Sequence, residues 1–125
     1  MDRYMIVIPA KNRAFTLKCD DGDSMKLETL QQLVGGPIEP VATRLQPEWA
    51  REKGVDSIVL LVDEEGLFKE CPLMNQRASE MAAAEEIQHG QRPLVGPAIV
   101  AAGRGEDLIG FAKPVADTIC AEWLL

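Results

Sequence analysis

Few residues in this chain have the chemistry to run a reaction. There is one histidine, His89, set in the polar stretch QHGQR. Any Ser-His-Asp or Cys-His relay must run through it, and no GxSxG elbow presents a nucleophile. The same scarcity removes histidine-based metal sites and leaves carboxylates. These form two clusters, Asp20, Asp21 and Asp23, and Asp63, Glu64 and Glu65. In the first, DDGDS places its glycine too early for a calcium loop and no glutamate stands at the twelfth position, so it reads as a turn feeding a helix cap. The second reads as a hairpin turn, where acids and glycine follow from turn geometry.

Other chemical motifs fail on spacing. Cys19, Cys71 and Cys120 are odd in number and far apart, with no CxxC or CxxH pattern, which argues against a disulfide framework and a zinc site. Gly103 and Gly105 follow an apolar run but lack the third glycine and the helix of a dinucleotide loop. Gly35 and Gly36 come after a helix, so their amides do not line up at a positive dipole end. No cofactor is expected.

The elements that must position these groups are legible in the apolar pattern. Met5 to Pro9 carries Ile6, Val7 and Ile8 and reads as a strand buried on both faces. After a turn at Lys11 and Asn12, Phe15, Leu17 and Cys19 alternate on one side of a half-buried strand, giving a hairpin. In DDGDSMKLETLQQLVGG, Leu27, Leu30, Leu33 and Val34 fall at helical spacing, with Ser24 or Asp23 as cap and Gly35 as the left-handed stop. Ile38 to Val41, with Pro37 and Pro40, is extended and confined to a sheet margin. Gln46 to Asp56, with Pro47, Trp49 and Gly54, reads as a loop or a single helical turn.

Ser57 to Val62 is the strongest strand signal, and Asp63 to Gly66 turns it into Leu67, Phe68 and Lys69 as a central hairpin. Asn75 caps a helix through Ala78, Met81 and the following alanines, ending near Gly90. Pro97 to Ala102 is a further buried strand, GRGED a turn, and Leu108 to Phe111 its short partner. From Pro114 a last helix sets Val115, Ile119 and Trp123 on one stripe, with Ala116 and Cys120 beside it. The elements do not alternate as a doubly wound parallel sheet requires. The expectation is an α+β fold, residues 1–125 as one domain, with a mostly antiparallel or mixed sheet of about five or six strands and two to three packed helices.

Composition bounds the partners. With 46% hydrophobic and 26% charged residues in 125, the chain resembles an ordinary globular domain. A net charge of −7 has the wrong sign for nucleic acid or anionic membrane, because that affinity comes from cations that displace counterions. The longest apolar runs are five residues, well short of a signal segment or a spanning helix, so a cytoplasmic location is expected. Free cysteines and edge-like segments permit a homodimer.

The order LETLQQLVGGPIEPV, a strand closing in DEEG, then PLMNQRAS and VGPAIVAAG resembles domain-of-unknown-function family 3846, small bacterial, mobile-element and phage proteins. The resemblance covers Met5 to Ile109. Its signature falls on Gly35, Gly36, Ile38 and Glu39, on Asp63, Glu64, Glu65 and Gly66, and on Leu73, Asn75 and Ala78. The tract from Ala82 to Gln91 is longer than the pattern expects. The resemblance implies no catalytic residue and no cofactor.

Subtraction therefore favours a noncatalytic binding or accessory protein that recognises a protein partner or a small ligand. Its candidate surface is Glu39, Asn75 and Glu64 with the backbone of Gly35 and Gly36. Two other readings stand beside it. One is a nucleotide-sequestering protein that uses Arg77, Arg92 and Arg104 against anti-phage signalling. The other is a carboxylate-dependent hydrolase with Mg²⁺ at Asp63, Glu64 and Glu65.

Overall fold

The apolar runs read above become strands of a single antiparallel sheet. The structure, a computed structural model, describes residues 2–43, 57–66, 73–82 and 94–123. In chain order the elements are β1 (Tyr4–Ile8), β2 (Phe15–Lys18), α1 (Leu27–Val34), β3 (Ile38–Ala42), β4 (Ser57–Asp63), α2 (Gln76–Met81), β5 (Ala98–Arg104), β6 (Asp107–Ile109) and α3 (Lys113–Trp123). The strands lie in the order β2-β1-β5-β4-β3, and β6 pairs with the far half of β5. Every pairing is antiparallel.

The period of two along each strand divides the core into two layers. Ile6, Ile8, Ile58, Leu60, Val62, Val100 and Ala102 face one way, where Ala78 and Met81 of α2 and Ala116 and Ile119 of α3 cover them. Met5, Leu61, Ile99 and Ala101 face the other way, under Leu30 and Val34 of α1. Strands covered on both sides must be apolar at every position, which is why β1, β4 and β5 read as continuous runs. β3 closes one margin, and its proline is tolerated there because an edge strand needs hydrogen bonds on one side only.

Three expectations need correction. The helix after Asn75 does not reach Gly90: α2 ends at Met81, and Ala82 is extended (φ −64°, ψ 146°) and bridges to Thr43 beyond β3. Strand pairing there overrides the helix preference of alanine. Neither Ser24 nor Asp23 caps α1. The N-cap position is Lys26, whose own side chain makes no cap bond. Asp20 takes that role from outside, its carboxylate accepting from the Lys26 N–H (2.9 Å) and the Thr29 hydroxyl (2.6 Å). Ser24 instead donates to the Leu108 carbonyl at 2.5 Å. Finally, the alternating face of β2 is only partly covered: Cys19 is buried but Phe15 is 47% exposed. The reason is that α1 packs over β5, β4 and β3, leaving the far end of β2 bare. The expected loop at 46–56 and the hairpin partner at 67–69 lie outside the described residues.

Where β6 returns toward β1, the backbones come into close contact. Phe111 and Tyr4 exchange both backbone hydrogen bonds at 2.7 Å. A Cβ at Gly110 would lie 2.6 Å from Cys19 Sγ and 2.7 Å from the Tyr4 nitrogen. Gly110→Ala is therefore expected to destabilise the fold by about 2 kcal/mol or more, read from urea unfolding; a change within about 0.5 kcal/mol would show that the strands can move apart.

The Asp20 carboxyl is held below its ordinary value, first by the Thr29 hydroxyl and then by the Lys26 N–H. Since its folded pKa is depressed, its stabilisation is complete above the unfolded value of about 4 and is lost as pH falls through the folded value. Asp20→Ala should lower the melting temperature at neutral pH, with the gap to wild type closing in acid. A gap that survives unchanged at about pH 2 would assign the effect to something other than the carboxylate.

Candidate functional site

The loops at one end of the sheet enclose a cleft. β1 and β4 finish there, β5 begins there, and α1 points its carboxyl end into the same space. The cleft measures about 730 Å³ and is lined by Pro9 to Asn12, Gln32 to Gly35, Asp63, Gly66, Leu73 and Val95 to Pro97. Its walls are mainly apolar, with Leu33 and Val34 on one side and Leu73, Val95 and Pro97 on the other. Lys11 and Asp63 are the ionisable side chains on its lining.

Each wall has a local cause. Gly35 ends α1 in the left-handed conformation (φ 93°), its N–H donating to the Gln31 carbonyl at 2.8 Å. Only a residue without Cβ takes that turn without strain. Gly36 then passes so close to Asp63 that a Cβ there would lie 2.5 Å from Oδ1. The Asp63 carboxylate is buried against this step and accepts the Glu65 N–H at 2.9 Å. The floor of the cleft thus carries a carboxylate beside the carboxyl end of a helix, where carbonyl dipoles add negative potential. Such a surface suits an apolar body bearing hydrogen-bond donors.

The five residues proposed from sequence are scattered about this geometry. Gly35 lines the cleft. Gly36 stands behind it against Asp63. Glu39 is half-buried on β3, opposite Val62. Glu64 is exposed, and its N–H donates to the Pro37 carbonyl at 2.8 Å.

Asn75 is no surface group at all: it is fully buried. Its Nδ2 donates to the carbonyls of Ile8 (2.8 Å) and Gly96 (2.9 Å), and its Oδ1 accepts the Ala78 N–H at 3.1 Å as the helix cap. Its backbone N–H donates to Leu94 at 2.7 Å. Its cap role follows the sequence expectation; its two long-range bonds had no local signal. Lining residues that sequence reasoning passed over include Lys11, Leu33 and the Gly96-Pro97 pair. The latter stood in plain view as VGPA ahead of a strand.

Among the described residues the alternative constellations do not assemble. Nη2 of Arg77 donates to the carbonyls of Pro9 (2.6 Å) and Asn12, whereas Arg104 pairs with Asp23 (3.6 Å) at the opposite end of β5. Arg92 and His89 lie outside the described residues. Among the described residues, no three His, Cys, Asp or Glu side chains converge to hold a metal ion. Burial pushes the Cys19 thiol up to about 11 and also raises that of Cys120, so neither is poised as a nucleophile. Among the described residues no helix is long and apolar enough to cross a membrane.

Replacing Asn75 by alanine would remove three hydrogen bonds, those to the Ile8 carbonyl and from the Ala78 N–H being buried and that to the Gly96 carbonyl part-buried. Removing the partner of a buried group costs about 1–3 kcal/mol, so Asn75→Ala should lose about 3 kcal/mol or more in chemical unfolding. A loss under about 1 kcal/mol would mean that water replaces the side chain and that the clamp is dispensable.

Comparison with known proteins gives one match. No curated protein and no solved structure is significantly similar to the chain. A family model described as a domain of unknown function (DUF3846) matches residues 3–121, nearly its whole length. The chain that builds this cleft from its α1 stop, its β4 turn and the approaches to α2 and β5 belongs to the DUF3846 family.

Proposed function

We propose that the chain is a noncatalytic binding protein and that the cleft at the end of the sheet is its recognition site. The observation that carries this reading is convergence. LVGG, DEEG, PLMN and VGPA are the four stretches that carry the family likeness. Each of them supplies part of the lining, although they are spread from Leu33 to Pro97. A pocket of this size with apolar walls and few polar groups has the ordinary character of a small-ligand or inserted side-chain site.

The chemistry available favours holding over turnover. A reaction needs an acid, base or nucleophile placed against a second group. The cleft offers one buried carboxylate and one lysine at its rim. The expected occupant has an apolar body of a few heavy atoms to side-chain size and donors directed at Asp63 and the end of α1. A protein partner would meet the same requirement by inserting one side chain.

The test is a fragment screen by ¹H–¹⁵N NMR, run beside native mass spectrometry and pull-down of the purified chain. Fragments that bind should shift Gly35, Gly66 and Gly96 together. Leu73 is 49% exposed, so Leu73→Glu should keep the fold and weaken that binding by about tenfold or more. Absence of a retained molecule, a partner and any clustered shift would end the proposal. Binding that Leu73→Glu leaves intact would place the site elsewhere.

A further inference from the structure

On the other side of the β1–β2 loop lies a second cleft of different character. It measures about 570 Å³ and is lined by Lys11, Arg13, Arg77, Asp117 and Cys120, with Asn12 and small residues between them. Three of its side chains are cations, in a chain whose net charge is −7. The acid on its wall, Asp117, is already matched by Lys113, with Nζ at 3.2 Å from Oδ1. Among the described residues Lys11 and Arg13 enter no ion pair. The local balance is therefore positive where the molecule as a whole is negative.

Arg77 is the fixed member of the group. Both Nη2 donors are directed to the carbonyls of Pro9 and Asn12, which hold the guanidinium plane against the loop. A guanidinium carries five N–H donors, so Nε and Nη1 remain, and among the described residues they make no bond. A guanidinium held in place loses less entropy on meeting an oxyanion than a free one does. Lys11 and Arg13 are exposed and flank it from the same loop.

We propose that this cleft binds the phosphate group of a small solute. Charge-assisted hydrogen bonds from a guanidinium and an ammonium are the usual means of holding a phosphate, and Arg presents its donors in the matching planar fork. The pocket has room for a phosphate and an attached body of modest size. A nucleic-acid strand is disfavoured, because a chain of net charge −7 repels an extended polyanion that reaches beyond the cleft. The site is distinct from the apolar cleft, with which it shares Lys11 and Asn12 among the described residues.

The test is an NMR titration of the full chain with inorganic pyrophosphate, with ionic strength held constant by sodium chloride. Saturable shifts are expected at Lys11, Arg13, Arg77 and Ala121, while Gly66 stays still. The double variant K11Q/R13Q, at two exposed positions, should weaken binding by about tenfold or more. A control, K18Q/R104Q, removes the same charge elsewhere and should leave it unchanged. Three outcomes overturn the proposal: no saturable response beyond that of sodium chloride, binding indifferent to K11Q/R13Q, or equal weakening by both double variants, which would mean bulk charge alone.

Discussion

The arrangement of the cleft-bearing end of the sheet depends on one buried amide. Asn75 joins the last carbonyl of β1, the approach to β5 and the first turn of α2 through hydrogen bonds of 2.8 to 3.1 Å. One side chain thus bridges three segments, and the Ile8 residue that accepts from it is itself in register with Ala98 in the β1–β5 ladder. A primary amide offers two donors and an acceptor in one plane, and in a site excluded from water each bond is stronger than at the surface. Leu73 to Asn75 also run antiparallel to Leu94 to Gly96, with bonds at both ends. The clamp therefore fixes a small ladder as well as a corner.

From that corner the two clefts follow. Two residues after Asn75, Arg77 reaches the carbonyls of Pro9 and Asn12, so the short helix α2 holds both the end of β1 and the loop that leaves it. That loop is the wall the clefts share. On the α1 side it faces apolar side chains and a carboxylate; on the α3 side it faces arginine. One restrained loop thus separates two surfaces of opposite chemistry, and any movement of it would alter both.

A second constraint acts across the sheet. β5 lies in the middle with Ile99 and Ala101 on one face and Ala98, Val100 and Ala102 on the other, all fully buried. Its alanines give α1 close access on one face, and its position makes it the partner of β1, β4 and β6. Gly110 extends this closeness to the β6 return, where Tyr4 and Cys19 leave no room for a methyl group.

Local features were set by the order of residues. Continuous apolar runs made β1, β4 and β5 doubly covered strands, prolines sent Ile38 to Ala42 to the margin, Gly35 stopped α1, and Asn75 began a helix. All these depend on neighbours within about one helical turn or one strand pair, which is the range over which a side chain biases its own backbone. The tertiary structure decided what such rules cannot reach. It put Asn75 in the interior through a contact spanning 67 residues, ended α2 early by pairing Ala82 with Thr43, handed the α1 cap to Asp20, and collected Lys11, Arg13 and Arg77 around one hollow. The physical reason is distance along the chain. Burial and long-range hydrogen bonds are set by segments that meet only after collapse, and no local pattern encodes where a polar side chain will then find its partners.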